Sequence, residues 1–146
     1  MKKTFFFLLL FTAAKISQAQ TPQDSVKAVV NKLFAAMKSS NANALQDCFA
    51  DGAILQTIGR DGRIQNEDIK DFAAQISKLP KDSADERIIF ETVKVDASLA
   101  VAWTPYQFYY AGKFSHCGVD SFQLVRINGV WKIQYLIDTR RRTPCQ

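Results

Sequence analysis

The stretch His116-Cys117-Gly118-Val119-Asp120 holds the residues best suited to chemistry in this sequence. In an extended segment every second side chain points to the same side, so His116 and Asp120 share a face with Gly118 between them. Asp120 can act as a base, and His116 can exchange a proton near neutral pH. Four residues of strand span about 13 Å. The two side chains would therefore act together only across a bound molecule.

Two hairpin turns determine which other side chains share this face. Ala111-Gly112 and Asn128-Gly129 fit two-residue turns, and such turns set the pairing register of their strands. The register places Asp120 opposite Trp103 and Ile137, although a β-bulge would shift part of it. The predicted face is Trp103, Gln107, Tyr109, Phe114, His116, Asp120, Phe122, Leu124, Trp131, Ile133, Tyr135 and Ile137.

This aromatic face predicts one wall of a pocket. The candidate ligand-binding residues on it are Trp103, Gln107, Tyr109, His116, Asp120 and Tyr135. A carboxylate in such surroundings must be paired or have its pKa raised. A purely structural role is the alternative, with Asp120 bonded to the Trp103 indole or the Tyr135 hydroxyl. The opposite face, with Tyr106, Phe108, Tyr110, Val125 and Leu136, is predicted to be exposed or to form an interface.

Helices in the first half of the chain must cover this sheet face. Thr21 is a candidate N-cap before Pro22, and apolar residues recur at helical spacing as far as Met37. A short second helix is predicted from Asn41 through Phe49. A third begins at Asn66, which can cap it, and ends at Pro80.

Strands follow these helices. We predict short strands at 54–58 and 63–64, then long ones at 87–95, 99–110, 113–127 and 130–140. Three N-terminal-half helices would then pack on one face of a mainly antiparallel sheet. This is an α+β two-layer domain.

The first nineteen residues have the pattern of a secretion signal. Lys2 and Lys3 precede an apolar run that is too short to span a bilayer, and small residues precede a cleavage point after Ala19. We therefore expect a signal peptide at 1–19, a single domain at 20–146 and a periplasmic or secreted location. The segment contains three lysines and no acidic residue, so cleavage would lower the net charge from +5 to +2.

Three cysteines, Cys48, Cys117 and Cys145, lie after the cleavage point. An oxidising compartment permits one disulfide, and the odd number leaves one thiol over. All three pairings are open. The hairpin register places Cys117 opposite Arg140, so a short return of the tail would bring Cys145 near it, and this favours Cys117–Cys145. A zinc site is disfavoured because the cysteines are widely spaced and the chain has one histidine.

Three segments carry a family resemblance: Leu55-Gln56-Thr57, the stretch Phe114 to Asp120, and the ending Trp131-Lys132-Ile133 through Asp138-Thr139-Arg140-Arg141. With them the chain resembles the nuclear-transport-factor-2-like superfamily, also called SnoaL-like or cystatin-like. It looks most like its exported "Putative lumazine-binding" members. The resemblance implies a strongly bent sheet that forms a cone with an internal pocket. It also implies a homodimer that packs through the outer sheet face.

Two functions are consistent with these features. The first is a non-catalytic domain that binds a small apolar or aromatic ligand. The second is a cofactor-independent isomerase, dehydratase or cyclase in which Asp120 is the general base and His116 assists. The resemblance implies such enzymes, although helices 1 and 3 lack the tyrosine that the steroid isomerases of the superfamily use.

The sequence predicts neither a cofactor nor a metal site, because it contains no nucleotide or metal motif. Arg140-Arg141-Arg142 could attract phosphate. The small net charge after cleavage and the lack of a nucleic-acid-binding motif argue against a nucleic-acid partner. No second apolar run is long enough for a membrane span.

Overall fold

A computed structural model describes residues 21–145, and the predicted signal peptide at 1–19 lies outside them. Three helices and seven strands make up this part of the chain. The helices are α1 Pro22–Lys38, α2 Ala42–Gln46 and α3 Ile69–Ser77. The strands are β1 Phe49–Ile58, β2 Ile64–Glu67, β3 Ala84–Ile88, β4 Thr92–Asp96, β5 Leu99–Tyr110, β6 Lys113–Ile127 and β7 Val130–Thr139.

The strands form one curved, unclosed sheet in the order β2-β1-β7-β6-β5-β3, with β4 also paired to β5. All pairs are antiparallel except β1 with β7. The helices cover the concave face, where Phe34 of α1 meets Phe122 of β6 edge to face with ring centroids 6.2 Å apart. The predicted α+β fold is confirmed.

The start of α1 follows the sequence signal closely. The Thr21 hydroxyl accepts a hydrogen bond from the Asp24 amide at 3.1 Å, and the Asp24 carboxylate bonds back to Thr21. This capping box satisfies amides that have no partner within the helix. Val26, Val30 and Leu33 are then buried along one stripe, which fixes the face that α1 turns to the sheet.

Element boundaries differ from the prediction around α3 and β1. Asp68, not Asn66, caps α3, and its carboxylate accepts from the amides of Lys70 and Asp71. Asn66 belongs to β2 and accepts a hydrogen bond from Gln56. β1 begins at Phe49 rather than at 54. Asp51-Gly52 does not end the strand, because it lies within an irregularity of the β1–β7 pairing.

The single strand predicted at 87–95 is two strands. β3 pairs with the C-terminal half of β5 and β4 with its N-terminal half. Between them Pro105 accepts a hydrogen bond from the Ile89 amide but has no N–H to give in return. The missing ladder bond explains the break.

Two irregularities change the register of the long strands. Tyr109 pairs with Phe114, but Phe108 pairs with His116, so Ser115 is an extra residue in β6. Leu124 pairs with Ile133, but Gln123 pairs with Tyr135, so Gln134 is extra in β7. Each bulge shifts all pairs beyond it by one residue, and a shift of one residue exchanges the two faces of the partner strand.

The C-terminal tail is attached to the middle of β6. Cys117 exchanges backbone hydrogen bonds with Arg141, one residue beyond the predicted Arg140, because of the bulge in β7. A disulfide joins Cys117 to Cys145 with their Cα atoms 5.9 Å apart. This is the pairing that the sequence favours. Cys48 is a free, buried thiol.

Candidate functional site

A cavity of about 170 Å³ lies between α1, α3 and the concave face of the sheet. The helices contribute only apolar side chains to its wall: Leu33, Phe34, Met37, Phe72 and Ile76. The strands add apolar side chains and all of the polar ones. The polar or titratable residues of the lining are Thr57, Glu67, Glu86, Tyr106, His116, Asp120, Asp138 and Arg140. The cavity therefore has an apolar side and an acidic side.

His116 and Asp120 both line this cavity, as their shared face predicts. The predicted partners of Asp120 are wrong, because of the two bulges. Asp120 pairs with Thr104 on β5, not Trp103, and with Asp138 on β7, not Ile137.

The other four predicted ligand-binding residues lie outside the cavity lining. Trp103 is 46% exposed. Tyr109 donates to Gln107 at 2.9 Å and stacks under the Arg87 guanidinium, 4.0 Å from its ring centre. Tyr135 donates to Gln56 at 2.6 Å. The structure does not bring these residues together with His116 and Asp120.

Other residues of the sheet line the cavity instead of these four. Tyr106, Phe108 and Leu136, predicted for the outer face, line the cavity. Asp138 and Arg140 follow Leu136 at two-residue spacing, so they point the same way. The bulges thus replace an aromatic pocket face with one that carries more charge.

Asp138 is the most heavily bonded carboxylate of the site. Thr57 donates to its Oδ1 at 2.5 Å, and Tyr106 and the Arg140 Nε donate to its Oδ2 at 3.0 and 3.1 Å. Burial works against the charge of Arg140, but Asp138 more than offsets this and raises the Arg140 pKa. Asp138 therefore holds three elements of the wall in place.

Asp120 has a sparser environment. It is only 3% exposed, and the Thr104 hydroxyl, 3.0 Å from Oδ2, is its one hydrogen-bond donor among residues 21–145. Burial, followed by the negative charge of Asp138, raises its pKa well above the usual carboxyl range, against the effect of Thr104. A buried carboxyl group with a raised pKa and an oxygen available to a ligand is a candidate for binding or proton transfer.

Glu86 is a second carboxyl group of this kind, and the sequence did not point to it. It lies on β3 opposite Phe108 and lines the cavity. Burial raises its pKa well above the usual range, and the charges of Asp120 and Asp138 add to the effect. Glu67, which accepts a hydrogen bond from Gln75, has its pKa raised mainly by burial.

His116 and Tyr106 are both held neutral. Burial, and then the positive charge of Arg140, lowers the pKa of His116. Its Nδ1 lies 3.1 Å from the Ser115 hydroxyl, and its ring packs on Tyr106 and Phe108. Burial, and then the charge of Asp138, raises the pKa of Tyr106.

Gly118 permits the close packing behind this wall. Its missing side chain leaves no room for a ligand, because the space is filled by other parts of the protein. A Cβ there would lie 1.8 Å from the Thr139 carbonyl oxygen and 2.7 Å from the Tyr106 ring. The Tyr106 hydroxyl also donates to that carbonyl at 3.0 Å. Glycine is therefore needed for Tyr106 to reach Asp138.

A larger cleft of about 870 Å³ lies near the β6–β7 turn, where α2, β1 and the start of α3 form its sides. It is open to solvent, and its lining includes none of Glu86, His116, Asp120 and Asp138. The smaller cavity is the better candidate site, because it encloses the groups with shifted pKa values.

Within residues 21–145, no group of three or more His, Cys, Asp or Glu side chains is placed to hold a metal ion. The same part of the chain has no helix with the length and hydropathy to cross a membrane. Two of the three consecutive arginines have partners near the strand end, since Arg140 bonds to Asp138 and Arg141 to the Pro144 carbonyl.

Solved structures show the same α+β cone. A nuclear-transport-factor-2-like protein of unknown function from Shewanella baltica has a TM-score of 0.67 at 14% identity, over 82% of this chain and 93% of that one. A domain of unknown function with a cystatin-like fold from Nostoc punctiforme has a TM-score of 0.68 at 17% identity, over 86% of this chain and 81% of that one. These similarities define the fold class as nuclear-transport-factor-2-like.

The sequence also matches a family model. The model described as "Putative lumazine-binding" matches residues 21–135, and the chain belongs to this family. No curated protein matches the chain. Family and fold together support a small-molecule-binding domain.

Proposed function

We propose that the chain is an exported, non-catalytic domain that binds one small, partly apolar or aromatic molecule in the cavity between the helices and the sheet. The observation that carries this proposal is the cavity with an apolar side and an acidic side. Ligand pockets combine apolar walls with a few polar groups in this way.

The volume limits the ligand. At about 170 Å³ the cavity is close to an engineered cavity of about 150 Å³ that accepts benzene. A molecule with one ring and one polar substituent matches this space. It would place its ring against Phe72 and Ile76 and its polar group toward Asp120.

Binding can be tested with a matched pair of variants on β7. Leu136 lines the cavity, whereas its neighbour Ile137 points to the other face of the sheet. We expect Leu136→Phe to fill the cavity and weaken binding of one-ring compounds at least tenfold in calorimetric titrations. Ile137→Phe should leave affinity unchanged. Binding that survives Leu136→Phe would place the ligand elsewhere.

Export is part of the proposal and is supported by the pattern of residues 1–19. The test is the mass of the protein recovered from the periplasm or the medium of an expressing bacterium. A chain that begins at Gln20 supports export with cleavage after Ala19. A full-length chain that stays inside the cell contradicts it.

A cofactor-independent enzyme of the isomerase, dehydratase or cyclase type is the second candidate. One observation favours it: Asp120 is buried, burial raises its pKa, and one of its oxygens accepts no hydrogen bond within residues 21–145. In this mechanism Asp120 takes a proton from carbon and His116, as a neutral donor, orients a carbonyl. Asp120→Asn should then abolish turnover and leave ligand affinity measurable. Unchanged turnover would exclude Asp120 as the base.

We further propose a homodimer that packs through the outer face of the sheet. The residues that support it differ from those predicted, since Tyr106, Phe108 and Leu136 face the cavity. Leu99, Val101 and Trp103 are instead exposed on β5. Light scattering should give twice the chain mass, and Trp103→Lys should give a monomer. A monomeric native protein would contradict the proposal.

A further inference from the structure

The cavity contains more negative than positive groups. Four carboxyl groups line it, on Glu67, Glu86, Asp120 and Asp138, against the single guanidinium of Arg140. His116 adds no positive charge at neutral pH, because burial and Arg140 lower its pKa. The helices contribute no charged side chain to the lining. The balance would favour a ligand that brings positive charge.

The carboxyl groups of the cavity differ in how many hydrogen-bond and ion-pair partners the protein gives them. Asp138 is paired with Arg140 and bonded to Thr57 and Tyr106. Among residues 21–145, Asp120 accepts a side-chain hydrogen bond only from the Thr104 hydroxyl. Glu86 has no side-chain hydrogen bond or ion pair within the described part of the chain, and it is half-buried in the cavity wall. No fully buried side-chain oxygen among the described residues lacks a hydrogen-bond partner, so the unbonded oxygens of Glu86 and Asp120 face the cavity space, where a ligand would bond to them.

Aromatic rings complete the wall around these two groups. Phe34 and Phe72 line the cavity from the helices, and Tyr106 and Phe108 line it from β5. The faces of aromatic rings attract cations, and they do so more strongly when the cation is shielded from water. A site of carboxylates and aromatic rings suits an ammonium group that carries an apolar body.

We propose that the ligand of this cavity is a compact organic cation, a protonated amine with an apolar body, whose ammonium group lies between the carboxylates of Glu86 and Asp120. The inference rests on the proposed function, because it names the ligand class of the same cavity. The amine donates hydrogen bonds to the free carboxylate oxygens, while its apolar body contacts Phe72 and Ile76 on the helix side.

Binding of such a ligand is coupled to proton release. Burial raises the pKa of Glu86 and of Asp120, so without a cation both carboxyl groups bind protons more readily than an ordinary carboxyl group does. A bound cation favours their ionised forms, so protons leave as the ligand enters. Glu67, Asp138, Arg140, Tyr106 and His116 also face this space. Protonation of His116 at low pH would repel the cation, which acts in the same direction as protonation of the carboxylates. Affinity should therefore rise from pH 5 to pH 8.

The test uses three one-ring compounds of similar size and different charge: benzylamine, benzyl alcohol and benzoate. Calorimetric titration of the mature protein at pH 7.5 should show benzylamine binding at least tenfold more tightly than benzyl alcohol, and benzoate most weakly. Titrations in buffers of different ionisation enthalpy should show that benzylamine binding releases protons.

Two isosteric variants and a control assign the effect to residues. Glu86→Gln and Asp120→Asn should each weaken benzylamine binding at least tenfold and change benzyl alcohol binding much less, because an amide still bonds to a hydroxyl but does not balance the charge of an ammonium group. Glu91→Gln is the control, because Glu91 is exposed and lies outside the cavity lining. Circular dichroism checks that each variant is folded.

The outcomes separate two failures. Benzyl alcohol or benzoate binding as tightly as benzylamine would overturn the cation proposal and leave small-molecule binding intact. If none of the three compounds binds the folded protein, both the cation proposal and the proposed function in this cavity are contradicted. Equal loss in Glu86→Gln and Glu91→Gln would also contradict the assignment to Glu86.

Discussion

Asp120 and Asp138 lie directly opposite each other on β6 and β7, with both side chains in the cavity wall. Asp138 accepts hydrogen bonds from Thr57, Tyr106 and Arg140, whereas Asp120 accepts one from Thr104 and from no other side chain in the described part of the chain. One carboxylate is thus committed to holding the wall together, and the other is left for a ligand or a proton. The division of roles is set by neighbours, since the two residue types are identical.

The structural role of Asp138 predicts a large loss of stability on substitution. Asp138→Asn removes the charge that Arg140 needs and replaces an acceptor oxygen by an amide donor facing Thr57 or Tyr106. Asp138 is buried, but the Arg140 side chain is 47% exposed, so solvent screens part of the charge pair. Loss of the pair together with the bonds from Thr57 and Tyr106 costs about 1–3 kcal/mol of unfolding free energy. Urea unfolding measures the change.

Asp96→Asn is the matched control for this prediction, because Asp96 is exposed at the end of β4. Its effect should stay within about 0.5 kcal/mol, as for most surface substitutions. Equal losses in the two variants would contradict the structural role of Asp138.

The raised pKa of Asp120 predicts how stability depends on pH. The folded state binds more protons than the unfolded state between the ordinary carboxyl pKa, about 3.9, and the raised value. Stability contributed by this group is therefore greatest at acid pH and falls as the pH rises through that window. Asp120→Asn removes the effect and also removes a negative charge that raises the pKa of Glu86.

Urea unfolding of both proteins at pH 4, 6 and 8 provides the measurement. The free energy of unfolding of Asp120→Asn minus that of the unmodified protein should increase steadily as the pH rises, so the variant becomes relatively more stable. The contribution of His116 has the opposite sign, but it is common to both proteins. A difference that stays constant with pH would contradict the raised pKa.

Much of the fold could be predicted because its signals are local. The Thr21 capping box, the stripe from Val26 to Met37 and the two hairpin turns need only neighbouring residues. Ala111 and Asn128 both have positive φ, as two-residue hairpin turns require. These features are enough to determine an α+β domain with one covered sheet face.

The site was only partly predictable because its register depends on two bulges. Ser115 and Gln134 are polar residues that fit a regular strand as well as a bulge, so the alternating pattern does not reveal them. Both faces of β5 carry aromatic residues, so hydropathy could not choose between Trp103 and Tyr106. The shared face of His116 and Asp120 was predicted correctly because both lie on β6 and no bulge separates them.

The sequence gives only a weak indication that Glu86, Asp138 and Arg140 belong to the site. Asp138 and Arg140 stand at two-residue spacing at the end of a strand, which is also usual at a solvated edge. Glu86 lies where a polar loop was predicted. Their roles depend on contacts between distant segments, such as Thr57 with Asp138, and local patterns do not contain this information.

The Cys117–Cys145 disulfide determines when each cysteine should react with a thiol reagent. In the oxidised protein Cys48 is the one free thiol, and it is 1% exposed. No thiol should react with a thiol reagent before unfolding, one should react after unfolding in denaturant, and three should react after reduction. A different order would contradict the Cys117–Cys145 pairing.

Removal of the bridge should also lower stability. The bridge spans 28 residues of chain, and the loss of a crosslink of this kind costs about 2–4 kcal/mol. Cys145→Ser should show this loss in urea unfolding without reductant. With reductant present, the variant and the reduced native protein should have the same stability. A variant as stable as the oxidised native protein would show that the bridge does not constrain the chain.

Gly118 gives the sharpest steric prediction, because a methyl group there would overlap the Thr139 carbonyl and the Tyr106 ring. Gly118→Ala must push Tyr106 off Asp138 or separate β6 from the tail, and overpacking of this severity costs about 3–5 kcal/mol. Gly59→Ala is the control, since its nearest neighbour is the flexible end of the Asp61 side chain. Thermal unfolding should rank Gly118→Ala far below Gly59→Ala. Equal melting temperatures would mean that Tyr106 does not pack across Gly118.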